Sequence, residues 1–340
     1  MPDSVVSSRV PLSVLDLAMV PEGHSSAQAL RDTTALAQRA DALGYLRFWV
    51  AEHHNMGTVA STTPSVLMAH LASHTEHLRL GSGGVMLPNH APLAIAEQFA
   101  LLEALYPGRI DLGVGRAPGS DQATATALRR SPENRDAEDF PRHLLDVMGL
   151  LGDERTETGL WTRFRATPVA TSSPQVFLLG SSAFSPQLAG MLGIPFVFAN
   201  HFDMGGTLDA VAIYRNHFEP SPILDEPYSI VSAATIAAPT AEEAIWLSGP
   251  SRLRKFGMRV GQMLPLVSPE QAAAHPQFEA ASQMPSNAVV GTPDEVVAGL
   301  DDLVEQTGAS ELMLYTATFG LAERVRSLEL TATAWGLASR

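Results

Sequence analysis

The chain has 340 residues, a length that suits two ordinary domains or one α/β barrel, a fold that runs to roughly 250 residues or more as a single unit. With 22 basic and 36 acidic residues it carries a formal charge of −14, which argues against a general nucleic-acid or anionic-membrane binder. It has no cysteine, which excludes disulfide frameworks, iron–sulfur clusters and thiol nucleophiles and fits a reducing, cytoplasmic setting.

Charged residues are 17% of the chain, below the usual quarter, and the deficit is local. No Asp, Glu, Lys or Arg occurs between Ala166 and Phe202, which on length alone resembles a membrane span. Pro168, Pro174, Pro186 and Pro195, with Gly180, Gly190 and Gly193, cut it into short elements, so buried strands and turns are expected and no membrane association. The N-terminal MPDSVVSSRVPLSVLDLA has an acid at Asp3 and no apolar core with a cleavage site, so no signal peptide is expected.

From the start, strand and helix signals alternate. Val10 to Ala18 is a β-rich run, and Ser25 or Ser26 can cap the helix that follows, with Gly44 as its stop. Leu46 to Glu52 reads as strand two and Pro64 to Thr75 as a helix; His77 to Pro88 reads as strand three. An amphipathic helix ends at Pro107 and Gly108, and Arg109 to Gly115 is strand four. A long polar loop leads to a helix near Phe140 to Leu151. Gln175 to Gly180, Ile194 to Ala199, Tyr228 to Ile236 and Glu311 to Tyr315 are strands five to eight.

Eight short apolar strands alternating with helices, without a dinucleotide Gly-x-Gly-x-x-Gly after the first, predict a (β/α)8 TIM barrel rather than a doubly wound sheet. No internal repeat or low-complexity linker divides the chain, so one domain over 1–340 is expected. Two excursions exceed a normal βα unit, about 153–174 after strand four and 249–291 after strand seven.

In such a barrel the chemistry lies at the carboxyl ends of the strands. Strand two runs into Glu52-His53-His54, where the imidazoles offer acid and base groups near neutrality and the carboxylate can fix a tautomer. Strand three ends in Gly81-Ser82-Gly83-Gly84, where backbone can approach a flat ligand or merely form a bulge. Arg116 after strand four, with Ser182 and Ser185 opening a helix after strand five, makes an anion site of guanidinium, hydroxyls and helix amides.

The ordered set Phe48-Trp49-Val50-Ala51-Glu52-His53-His54, Leu80-Gly81-Ser82-Gly83-Gly84-Val85-Met86-Leu87-Pro88 and Gly108-Arg109-Ile110-Asp111-Leu112-Gly113-Val114-Gly115-Arg116 resembles the bacterial luciferase-like, flavin-dependent monooxygenases. The resemblance extends through Val176 to Gly193 and to the segment Val290 to Glu295, and is weak in 117–160 and 204–285. It implies a luciferase-like barrel using FMN, reduced by a separate flavin reductase, and dioxygen to oxidise a small or medium organic substrate.

By the same resemblance His53 matches the family's catalytic histidine, with His54 beside it. Gly83-Gly84 matches a site where a non-prolyl cis peptide lies under the flavin ring. Arg116, Ser182 and Ser185 fall where the FMN phosphate is held, and Gly180 and Ser181 line the ribityl region. Ser181 stands where the luciferase subunit has an acid, and the excursion before strand eight departs from that enzyme throughout, so neither a long-chain aldehyde substrate nor light emission is implied. A homodimer is implied, for which the apolar helix Ile95 to Leu105 is a candidate interface.

Other clusters draw plainer expectations. His70, His74 and His77 lack the His-Glu-x-x-His pattern, and strand one ends Leu15-Asp16-Leu17 without a His-x-His, so no metal centre is expected. Arg252, Arg254, Lys255 and Arg259 read as a solvated helix face, with contact to an anionic substrate or a phosphate as the alternative. Two competing functions are a deazaflavin-dependent hydride-transfer oxidoreductase and a flavin-binding protein without turnover.

Overall fold

The computed structural model describes residues 9–117, 122–129, 136–202 and 204–340. The N-terminal segment bearing Asp3, and part of the polar loop after the fourth strand, lie outside the described residues. In chain order the elements begin with β1 (Leu12–Asp16), α1 (Ser26–Ala42), β2 (Arg47–Val50), α2 (Pro64–Ala72), β3 (Arg79–Ser82), β4 (Val85–Met86), α3 (Pro92–Leu105) and β5 (Ile110–Gly115). Next come α4 (Gln122–Arg129), α5 (Asp136–Leu150), β6 (Gln175–Gly180), α6 (Phe184–Met191), β7 (Phe196–Phe198), α7 (Thr207–Asn216) and β8 (Ser229–Ala237). The last are α8 (Ala241–Arg259), α9 (Pro269–Ala273), α10 (Phe278–Gln283), β9 (Val289–Gly291), α11 (Pro293–Thr307), β10 (Glu311–Tyr315) and α12 (Leu321–Trp335).

Parallel neighbours run in the order β10, β1, β2, β3, β5, β6, β7, β8, and β8 pairs β10 through Glu311 and Ile230, which closes an eight-stranded barrel. These are the eight strands read from the sequence. Helices fill the crossovers, so this is the expected TIM-barrel architecture. Every residue of β1 and β5 is buried, as continuous apolar strands covered on both faces must be.

Side-chain alternation divides the core. Val14, Phe48, Leu80, Leu112 and Leu178 pack outward against the helices. Leu15, Trp49, Phe177, Ile230 and Met313 fill the barrel, where Trp49 meets Phe177 edge-on at 5.0 Å. Each such buried side chain contributes about 1.5–3 kcal/mol. At the amino ends of the strands lies a buried ionic layer. Arg47 bonds Asp111 at 2.7 Å and Glu311 at 3.0 Å, and Arg79 reaches the other Asp111 oxygen at 2.6 Å. Trp49 Nε1 and the Tyr228 hydroxyl also donate into it, to Asp111 and Glu311. The layer seats the barrel floor and leaves the opposite, carboxyl end for chemistry.

Three expectations need correction. Strand three does not run unbroken from His77 to Pro88: β3 stops at Ser82, and Val85–Met86 pairs only with β5. The polar stretch before Phe140 holds α4 and the first turn of α5. The second excursion does not begin at Gly249, because Gly249 and Pro250 lie inside α8, which continues to Arg259. That helix survives a Gly-Pro pair because Ser248, Gly249, Pro250 and Leu253 are its buried face, with Gly249 packed closely on Phe278. At the end of this excursion β9 pairs with the rim of β8 outside the barrel. No helix among the described residues is long and apolar enough to cross a membrane.

Candidate active site

The segment after β2 turns into the barrel mouth and is tied down at its first residue. The Glu52 side chain is 1% exposed, and its Oε1 receives His54 Nε2 at 2.9 Å and His90 Nε2 at 2.8 Å. The Met86 amide donates to Oε2 at 3.0 Å. An ionised carboxylate only accepts, so both rings present Nε2–H to it. Burial alone would raise the Glu52 pKa; the bonds from His90, His54 and Met86, with the charge of His90, outweigh it and hold the carboxyl below its ordinary value. The carboxylate expected to fix a histidine therefore holds His54 and also His90, which the sequence reading omitted.

The ligating atoms of Glu52, His54 and His90 lie within 4.8 Å of one another, the one such group among the described residues. The hydrogen bonds account for this spacing: each ring nitrogen facing the carboxylate already donates to it.

His53 follows Glu52 at the strand-end rim. It is half-buried, and its amide donates to Ser61 O at 3.0 Å. Its charge reaches a second histidine, His201, just after β7. Burial, then the charges of Lys255 and His53, push the His201 pKa down to about 3, so this ring is neutral near pH 7. His201 Nδ1 lies 2.6 Å from Ser232 Oγ, which donates onward to Phe198 O at 3.2 Å. Ser232 thus accepts from Nδ1–H, and the His201 Nε2 lone pair is left as an acceptor. Sequence reasoning missed His201; the only available signal was a polar Asn200-His201 pair at a strand end within an uncharged stretch.

Beside this mouth the Gly83–Gly84 peptide bond is cis, at the position where the resemblance implies one. A Cβ at Gly83 would come within 2.9 Å of Leu15 Cδ1, and one at Gly84 within 2.8 Å of Gly113 O. Only bare backbone fits against the neighbouring strand here. At the end of β6 a Cβ on Gly180 would collide with the Ser185 side chain, so the strand abuts the first turn of α6. Ser185 is 3% exposed against Gly180, whereas Ser181 and Ser182 are exposed. The Arg116 guanidinium lies 4.4 Å over the Phe184 ring, also in that first turn. The fold thus brings Arg116, Gly180 and the serines together, and separately His53 with His54.

A cavity of about 520 Å³ opens at the same end of the barrel. Leu17 and Met19 beyond β1, Ala234 to Ile236 of β8, Tyr315 of β10, His201 and Leu266 line it. So do Arg252, Arg254, Lys255 and Arg259, which corrects the expected solvated helix face: this side of α8 is turned to the cavity. His70 and His74 remain plain helix-end residues, bonding Thr34 and the His70 carbonyl.

A family model described as luciferase-like monooxygenase matches residues 10–311. Over 325 residues the chain is 42% identical to the luciferase-like monooxygenase of Escherichia coli (strain K12), covering 94% of this chain and 96% of that protein. Over 329 residues it is 35% identical to the N-acetyl-S-alkylcysteine monooxygenase of Bacillus subtilis (strain 168), covering 95% and 97%. The crystal structure of apo-MsnO8 matches with a TM-score of 0.89 at 36% identity, over 98% of this chain and 100% of that one.

The chain belongs to the luciferase-like monooxygenase family. It is an oxidoreductase of the monooxygenase class, which inserts one atom of dioxygen into an organic substrate and releases the other as water. More distant structures share the fold alone. They include the FMN complex of the oxygenating constituent of 3,6-diketocamphane monooxygenase from Pseudomonas putida, at 19% identity and TM-score 0.72 over 96% of this chain and 97% of that one. An F420-dependent secondary alcohol dehydrogenase matches at 16% identity and TM-score 0.67 over 96% and 99%.

Proposed function

We propose that the chain is an FMN-dependent monooxygenase that oxidises a small or medium organic substrate. The observation that carries this reading is the pairing of side-chain-free backbone at Gly83–Gly84, on the strand-end rim, with a cation over a helix start at Arg116 and Phe184. The first suits a flat ring system, and the second suits a phosphate monoester. Arg116 and the first turn of α6, with Ser182 and Ser185, would hold the phosphate, and Gly180 and Ser181 the ribityl chain. Bound reduced FMN supplies the electrons that activate dioxygen.

His53 is the residue assigned to hold and move a proton at the mouth. Glu52, through His54 and His90, fixes the loop that carries it and acts as a positioning residue. His201, neutral and with Nε2 unprotonated, accepts a hydrogen bond on the cavity side. The apolar lining from Leu17 to Leu266 excludes water from the reacting atoms.

Without a nicotinamide fingerprint, reduced FMN is assigned to a separate reductase. The chain is taken as one barrel unit, cytoplasmic and homodimeric through α3, whose Leu101 and Leu105 are 49% and 57% exposed; sedimentation of a Leu101→Lys variant tests that interface. The Bacillus relative named for N-acetyl-S-alkylcysteine supports a substrate of that size.

Turnover under 18O-labelled dioxygen with reduced FMN, over a panel of thioethers, ketones and organic acids, tests the function. A product carrying one labelled oxygen is expected. Oxidation of a substrate without label, supported by F420 instead of FMN, would establish hydride transfer in its place.

A further inference from the structure

The cavity over β1, β8 and β10 has two unlike walls. One is apolar, with Leu17, Ile236 and Leu266; the other is α8, which brings Arg252, Arg254 and Lys255 to the lining within one turn. Among the described residues of the lining, none is acidic. Arg252 is structural, because its guanidinium donates to the Ser282 and Met284 carbonyls and fastens α8 to the excursion that roofs the cavity.

Arg254 is different. Among the described residues, its Nη1 meets the Met258 sulfur at 3.7 Å, a weak acceptor, and its Nε is buried with no hydrogen-bond partner. A buried guanidinium nitrogen without an acceptor is unfavourable until a ligand supplies one. The charge acts inside the cavity: burial raises the pKa of Tyr315, on the β10 side, and Arg254 opposes that rise.

We propose that this cavity selects an organic acid, a carboxylate on an apolar body, with Arg254 receiving the carboxylate and the apolar wall the remainder. An alcohol of the same length would offer Arg254 only a neutral acceptor, and an alkylammonium would be repelled by the Arg254 charge. The site is separate from the proposed phosphate site, which is built on β5, β6 and α6. Only the further step, that the bound acid is the molecule oxidised, rests on the monooxygenase reading.

Calorimetric titration of the full chain, with and without FMN, using octanoate, 1-octanol and octylammonium as probes, tests the selection without turnover. Octanoate is expected to bind at least ~10-fold more tightly than 1-octanol, as a charge-assisted bond to a partly desolvated guanidinium implies. Octylammonium should bind weakest. In Arg254→Met the octanoate preference should fall to within ~2-fold of 1-octanol, with 1-octanol affinity and thermal midpoint unchanged, and Arg254→Lys should restore part of it.

Equal affinity for octanoate and 1-octanol, or a preference that survives Arg254→Met, would overturn the inference. So would a loss of FMN affinity in Arg254→Met equal to the loss for octanoate, since Arg254 would then serve the phosphate. If the wild-type chain fails to bind FMN yet prefers octanoate, the cofactor reading fails and the anion selectivity stands.

Discussion

The Arg116 guanidinium carbon lies over the Phe184 ring, 4.4 Å from its centroid. This contact joins the end of β5 to the first turn of α6 and holds a permanent cation beside the helix amides. Two anion-attracting groups that are far apart in sequence thereby converge on one point.

Replacing Arg116 by Ala should weaken FMN binding ~10- to 100-fold, the equivalent of losing about 1.5–3 kcal/mol of charged hydrogen bonding. Riboflavin, which lacks the phosphate, should lose little. Flavin fluorescence quenching measures both; equal losses for the two ligands contradict a phosphate role for Arg116.

His53→Ala should retain FMN affinity and lower oxygenated product by ~10²–10⁴-fold, the usual scale of a positioned proton-transfer group. Oxygen consumption is compared with labelled product in the same assay. Product formation at the wild-type rate would remove His53 from the chemistry.

Acid sensitivity follows from His201 and Glu52. His201 has an ordinary pKa of 6.5 and about 3 in the fold, so between these values the unfolded chain binds the extra proton. Stability from this group is complete above pH 6.5 and falls as pH drops toward 3, with a slope of up to about 1.4 kcal/mol per pH unit. Glu52, lowered from 4.5, adds stability above that value that is lost as pH falls through its folded pKa. Urea unfolding between pH 7 and pH 5 should show the first decline in the wild type and a flatter profile in His201→Gln. An identical slope in both would mean that His201 is not buried in its neutral form.

The ionic layer at the barrel floor concerns stability rather than chemistry. Arg47→Met should cost about 3–5 kcal/mol, because Asp111 and Glu311 would remain buried without their shared cation. Denaturant titration measures this, and FMN affinity of the folded fraction should be unchanged. A loss under about 1 kcal/mol would show that water or Arg79 compensates.

All eight barrel strands were legible because each is a short apolar run bounded by Gly, Pro or polar residues, a pattern local to the strand. Positions at strand ends, such as His53, Gly83–Gly84 and Arg116, were legible once the barrel placed them at one rim. His90 and His201 were not, because their partners Glu52 and Ser232 lie 38 and 31 residues away, and nothing local records such a pairing. The face of α8 was misread for a related reason. Its basic residues share a side of the helix, but whether that side meets solvent depends on the excursion folding over it. The second excursion starts later than the expected position 249 because α8 runs on through Gly249 and Pro250, and the packing of Gly249 on Phe278 comes from the same distant segment.

In the proposed function, this barrel holds FMN with its ring at Gly83–Gly84 and its phosphate at Arg116. A crystal structure of the chain grown with FMN tests it most directly. Density for the isoalloxazine against the Gly83–Gly84 backbone, with the phosphate within hydrogen-bonding distance of Arg116 and the α6 amides, is the expected result. A flavin bound with its phosphate on Arg252, Arg254 or Lys255, or with its ring away from Gly83–Gly84 at saturating FMN, would contradict it.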